Sequence, residues 1–301
     1  MKPGFIEKIS SELNGMCGGN VNSDLWFCGI EWANWPVNDT IQNELFSDEY
    51  YAMYNKVKVK LPCVTEAWAA HHLLGHPFDK KIARVVLAWK SYSEKTGAKV
   101  DEQGIMDYIT SKVGNESDKQ DLGLYRRWGD IFKLNLFPLH ERNVRTWKKV
   151  HSENTGCLLK SEYYTYCIEH RFPIFRELVL INNPKVIVCI GRQFIKEFIL
   201  AFWGEKGFTS NNKNSEIEIV SPKYSIELPL KPKKDKPDKS ALQIQIYCNE
   251  DKSLPILIGT PFFSDYPSCV NSPDELDKIG EIIANIFPYK SNLPNGICKC
   301  P

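Results

Sequence analysis

Four short apolar runs constrain this chain more than any other feature: Asp24-Leu25-Trp26-Phe27-Cys28-Gly29-Ile30-Glu31, Ile131 to Pro138, Lys185 to Gly191, and Pro255 to Thr260. The first is unbroken from Leu25 to Cys28, the pattern of a parallel strand buried on both faces. Gly29 then permits a tight turn, and Glu31 follows at the strand's carboxyl end. Open parallel sheets bind their ligands at that end. A carboxylate there is costly unless it is partnered or used, which makes Glu31 the first candidate functional residue.

Helical patterns separate the runs. Apolar residues recur at helical spacing from Ser161 to Asn182, and Asn183-Pro184 stops that helix before the third run. Arg192 to Trp203 follows the third run with an apolar stripe of Phe194, Ile195, Phe198, Ile199 and Phe202. Ser272-Pro273-Asp274-Glu275 opens the last helix with serine at the cap, proline behind it and acids in the first turn. Strand–helix alternation predicts an α/β fold with a central four-stranded parallel sheet. A mostly helical insertion spans about 41–127, with segments at Glu66 to Leu74, Lys80 to Lys95 and Asp101 to Lys112. A polar, loop-like stretch covers about 210–240 and carries a basic, proline-broken run from Lys231 to Lys239. That run reads as a solvated loop, or as a tether for phosphates through lysines such as Lys233 and Lys234. The whole chain, 1–301, is expected to be one domain.

Composition excludes several classes. Net charge is +1, so no global field marks a nucleic-acid partner, although a local patch remains open. No apolar stretch approaches the roughly 20 residues of a membrane span, and Met1-Lys2-Pro3-Gly4 leads into an amphipathic segment, so the expected compartment is the cytoplasm. The ten cysteines include no C-x-x-C pair, and Cys28 and Cys189 lie inside apolar strands. Free thiols are expected, with neither a metal site nor any cofactor. Phosphate-loop, dinucleotide-binding and nucleophile-elbow motifs are missing. His71, His72 and His76 cluster without a metalloprotease glutamate, which favours a structural or surface role.

The strand ends therefore carry the functional reading. Glu31 follows the first strand, Asn135 lies in the second before Pro138 and His140, Gly191 and Arg192 follow the third, and Thr260-Pro261 follows the fourth. Adjacent parallel strands would bring these ends to one crevice. A carboxylate can hold water there, and a carboxamide can read a flat base edge with one acceptor and two donors. Each also has a plain reading: Glu31 as a salt-bridged surface group, Asn135 as a turn hydrogen bonder.

In order and spacing the chain resembles the uracil-DNA glycosylase superfamily. Gly29-Ile30-Glu31-Trp32-Ala33-Asn34 is similar to its first-strand motif, and Asn135-Leu136-Phe137-Pro138 to its N-x-x-P segment. Pro184-Lys185-Val186-Ile187-Val188-Cys189-Ile190-Gly191 resembles its third strand, and Thr260-Pro261-Phe262-Phe263-Ser264 its loop after the fourth. The resemblance implies a three-layer α/β/α fold and a monofunctional DNA glycosylase that flips a pyrimidine nucleotide from DNA and hydrolyses its N-glycosidic bond. It covers the sheet and flanking helices but neither the insertion nor the lysine loop.

The departures shape the expected substrate. Glu31 stands where the family carries a water-positioning aspartate, Ala33 where uracil enzymes carry a tyrosine that blocks the 5-position, and Thr260 where they carry a histidine. His140 is a candidate substitute for that histidine. An open 5-position implies a bulky pyrimidine such as glucosylated 5-hydroxymethylcytosine, the substrate of phage-defence members. Gly29, Ile30, Trp32, Ala33, Asn34, Asn38 and Asp39 would then line the pocket, with Asn135 reading the base edge and Arg192 or His140 stabilising it. Phe262, Phe263, Ser264 and Tyr266 would meet the DNA, an aromatic filling the gap in the stack. The rival readings are a uracil or mismatch repair glycosylase and a non-catalytic DNA- or nucleotide-binding module. No protein partner or oligomeric state is legible.

Overall fold

A computed structural model describes residues 6–7, 10, 18–30, 77–96, 99–110, 123–125, 129–139, 146–211, 216–228, 242–264 and 269–289. The four apolar runs are strands: β2 (Leu25–Gly29), β3 (Ile131–Asn135), β4 (Val186–Ile190) and β9 (Ile256–Thr260). They are adjacent and mutually parallel, in the spatial order β3-β2-β4-β9. Nearly every residue in them is buried, because helices cover both faces.

The sheet is larger than the expected four strands. Among the described residues it has seven and is mixed: with β1 (Gly18–Gly19), β7 (Tyr224–Leu228) and β8 (Leu242–Tyr247) added, the order is β1-β3-β2-β4-β9-β8-β7. β1 pairs antiparallel with β3, while β8 and β7 extend the far edge in antiparallel sense. The stretch expected to be loop-like is accordingly part strand, since β5 (Phe208–Asn211) and β6 (Glu216–Ile219) also pair in a separate hairpin. The cause is period-two alternation. In β7, inside that stretch, Ile226 and Leu228 pack on the core with Glu227 between them, and Leu242, Ile244 and Ile246 of β8 continue the pattern beyond it.

Side chains from alternate strand positions build two cores. Trp26, Cys28, Phe132 and Leu134 pack with helices α4 (Lys160–His170), α5 (Phe172–Asn182) and α6 (Ile195–Phe202). Leu25, Phe27 and Ile131 pack with α1 (Pro77–Ser93), α2 (Glu102–Thr110) and α7 (Pro273–Ile286). A short helix α3 (Lys149–Thr155) precedes α4.

The long helix expected over Ser161 to Asn182 is two helices broken at Arg171. Pro173 cannot donate a backbone hydrogen bond to the turn before it, so the ladder restarts at Phe172. The start of α7 matches its sequence signals. Ser272 Oγ accepts from the Glu275 backbone N–H, and Glu275 returns to the Ser272 N–H at 3.0 Å. Among the described residues, no helix is long and apolar enough to cross a membrane.

Candidate functional site

Strand order reverses direction around β2: the chain passes from β2 to β3 on one side, then to β4 on the other. Such a switch point leaves a crevice at the carboxyl ends, between loops that part in opposite directions. Gly29 ends β2 there, in register with Asn135 of β3. The pairing continues past both strands, with the Leu136 N–H donating to Gly29 O at 3.0 Å and the Phe137 N–H to Ile30 O at 2.9 Å.

Asn135 is only 3 % exposed, yet among the described residues its Nδ2 has no hydrogen-bond partner. A buried amide without a partner costs about 1–3 kcal/mol, so this donor calls for a water, an ion or a ligand to satisfy it. The carboxamide leans over Gly29, where a Cβ would stand 2.5 Å from Asn135 Oδ1. Only glycine leaves the carboxamide its position. The backbone beneath is held from the other face by Arg171, which is fully buried. Its Nε donates to Leu136 O at 3.1 Å and its Nη2 to Asn135 O at 3.3 Å. Arg171 was not singled out from sequence, because nothing local to it reveals that the helix break points it at β3.

A second polar group shares the face of Asn135. Lys133, two residues earlier, is 5 % exposed and its Nζ donates to Asp79 Oδ1 at 3.1 Å. Tyr125 Oη donates to the same oxygen at 2.7 Å. The ammonium lies 4.8 Å from the Phe78 ring centroid and 4.9 Å from that of Tyr125. Burial, then the charge of Asp79, pushes the Tyr125 hydroxyl well above the ordinary tyrosine range. Tyr125 itself holds φ at +57°, a strained region for a bulky residue. The one sequence signal for this cluster was a lysine inside an otherwise buried strand.

The other wall of the crevice comes from the end of β4. Gly191 has φ of +111°, and a Cβ on it would meet the Phe262 ring at 2.7 Å and Ile30 Cγ1 at 3.2 Å. Phe262 is half-buried across Gly191 and edge-on to Phe194 at 6.5 Å. Its place is therefore over the end of β4. Phe263 is 5 % exposed and packs beside Phe78 in the core, so its ring is not presented for insertion into a duplex. Ser264 is half-buried past a bridge between Phe263 and Val270.

Two further candidates lie where they cannot reach Asn135. Thr260 is fully buried and its hydroxyl donates to Cys189 O at 3.4 Å. The Arg192 guanidinium crosses beside Gly259 to Gln243 on β8, its Nη1 3.3 Å from both Gln243 O and Oε1. The structure thus sets Asn135 against Gly29 and, on the neighbouring strand, Phe262 against Gly191 and Ile30, and directs Thr260 and Arg192 toward other strands. Glu31, Trp32, Ala33, Asn34, Asn38, Asp39, His140, Lys233, Lys234 and Tyr266 lie outside the described residues. Among the described residues, no three His, Cys, Asp or Glu side chains group as metal ligands.

No protein-family model and no curated protein matches this chain. The site's own geometry must therefore carry the functional reading. A buried carboxamide with a spare donor at the carboxyl end of a strand can pair with a flat, hydrogen-bonding ring.

Proposed function

We propose that this chain is a monofunctional DNA glycosylase that hydrolyses the N-glycosidic bond of a flipped pyrimidine, with a bulky 5-modified cytosine as substrate. The observation that carries the reading is the buried Asn135 carboxamide, whose Nδ2 lacks a partner among the described residues, at the carboxyl end of β3 in register with Gly29 at the end of β2. A flipped base would supply the acceptor that Nδ2 lacks, which offsets part of the few kcal/mol that unstacking costs. Four adjacent parallel strands flanked by helices also suit the three-layer α/β/α architecture that the resemblance implies.

Glu31, two residues past Gly29, would orient the attacking water and stabilise the cationic sugar as the bond breaks. Phe262 would flank the base. Ala33 in place of a ring would leave room at the 5-position, which favours a modified cytosine over uracil.

The test is abasic-site formation. Duplexes containing uracil, 5-hydroxymethylcytosine or its glucosylated form are incubated with the protein and scored for alkali-labile breaks. Cleavage of the glucosylated strand is expected, abolished by Glu31→Gln and lowered roughly 10²-fold or more by Asn135→Ala. Cleavage confined to uracil refutes the open-pocket argument. No abasic sites on any of the three, with DNA binding retained, leaves the non-catalytic binding module, a reading favoured by the engagement of the Thr260 hydroxyl with Cys189.

A further inference from the structure

We propose that Lys133 supplies the positive charge that stabilises the departing base, held for that task by Asp79 and Tyr125. The inference rests on the glycosylase reading above and assigns a group for the negative charge that the reaction generates.

Geometry places the ammonium on the correct side of the sheet. Ile131, Lys133 and Asn135 occupy alternate positions of β3 and so share one face, with the Cα atoms of Lys133 and Asn135 about 7 Å apart. The level of the charge follows from the helices. α7 begins shortly after β9 ends, and α1 runs parallel to it, as Arg84 pairs with Asp277 at 2.8 Å and Trp89 Nε1 donates to Phe287 O at 2.7 Å. The first turn of α1 therefore stands at the carboxyl ends of the strands. Phe78 confirms that level, since its ring lies 6.1 Å from Phe263, three residues past β9. Asp79 thus draws Lys133 Nζ toward the crevice and Asn135.

Stability is a poor reason for such a pair. Removing two charges from water costs several kcal/mol per ion, and well-packed apolar replacements are often neutral or better. Here the pair is also held by Tyr125 at φ +57°, and strain of that kind collects at functional sites. Thr260 and Arg192, the other described candidates for this task, are directed elsewhere. A fixed cation in a water-poor site interacts with a forming anion far more strongly than it would in water.

The chemistry balances without any co-reactant beyond water. The bond from C1′ to the base nitrogen breaks and both electrons leave with the base. Water oxygen bonds to C1′, and the proton it sheds ends on the base nitrogen. Lys133 lowers the energy of the base anion before that proton arrives. It transfers no proton and acts through space on the Asn135 side of the sheet.

The experiment compares leaving groups. Full-length protein is assayed in single turnovers on duplexes carrying the pyrimidine it excises and the 5-fluoro form of the same ring class, a better leaving group. Lys133→Met should slow the ordinary base roughly 10²-fold and the fluorinated base no more than about tenfold, because the latter needs less charge stabilisation. Lys133→Arg should restore much of the difference. As Lys133→Met strands a buried carboxylate, the double variant Asp79→Asn/Lys133→Met is run beside it and should give the same ratio. Equal slowing of both substrates by either variant overturns the role of Lys133, because a loss of folded protein would cancel from the ratio. A wild-type protein that makes no abasic sites instead overturns the glycosylase reading itself.

Discussion

Replacing Arg171 with methionine should destabilise the protein by about 2–4 kcal/mol. The guanidinium is fully buried and holds two main-chain carbonyls, those of Leu136 at 3.1 Å and Asn135 at 3.3 Å. Hydrogen bonds from charged donors contribute about 1.5–3 kcal/mol each, so losing both removes roughly 3–6 kcal/mol. Two effects offset part of this. Methionine preserves most of the aliphatic stem and regains a sulfur–ring contact with Phe175, whose centroid lies 5.0 Å from the guanidinium carbon. Removing the charge also relieves its desolvation, which lowers the net cost. For a chain of this size each kcal/mol is about 2–4 °C in Tm, so a fall of roughly 4–16 °C is expected by calorimetry. Arg171→Lys should recover only part of it, because a point charge cannot span both carbonyls as the planar fork does. A methionine variant within about 0.5 kcal/mol of wild type in urea unfolding would refute the idea that this arginine anchors the end of β3.

Gly280→Ala should destabilise although Gly280 lies inside helix α7. Helix propensity alone favours alanine by about 1 kcal/mol, but the new Cβ would stand 2.5 Å from Ala88 Cβ, 2.7 Å from Trp89 N and 2.8 Å from Val85 O. Backbone atoms of α1 cannot yield cheaply, so overpacking of about 1–3 kcal/mol should win and Tm should fall; a rise in Tm would show that the two helices slide apart freely. Alkaline pH should also unfold the protein. Burial, then the charge of Asp130, pushes Tyr108 well above the ordinary tyrosine value, and burial with Asp79 does the same for Tyr125. A raised native value means the fold favours the neutral phenol. Stability is therefore intact below the unfolded-state value near 10 and is lost as pH climbs from there toward the native values. Urea midpoints should hold at pH 8–9 and drop above about 10, with a shallower drop in Tyr108→Phe; equal slopes for the variant and wild type would refute the assignment.

The parallel strands were legible because a strand covered on both faces has to be apolar at every position. Leu25 to Cys28 and Val186 to Ile190 satisfy this without interruption. The cap of α7 was equally legible, since Ser272, Pro273 and Glu275 act within one turn of each other. The antiparallel strands β7 and β8 were carried by a weaker signal. Glutamines at alternate positions of β8 look polar until a neighbouring strand gives them a face. The break at Arg171 had its cause in plain view at Pro173, but a continuous apolar stripe across the two helices masked it.

Sequence alone determined the layered α/β class, the strands that would be buried, and that Gly29 ends the first of them, because each depends on local backbone chemistry and side-chain periodicity. It did not place the end of β3 at Asn135 rather than Pro138. Only the tertiary structure decided the rest. It set the strand order that puts Gly29 beside Asn135, the burial that leaves Asn135 Nδ2 without a partner among the described residues, and the turning of Thr260 and Arg192 toward other strands. It also brought Asp79 and Tyr125 onto Lys133 from 54 residues and fewer away in the chain. These are contacts between distant segments, and no residue carries in its own neighbourhood the identity of the partner that folding will deliver to it.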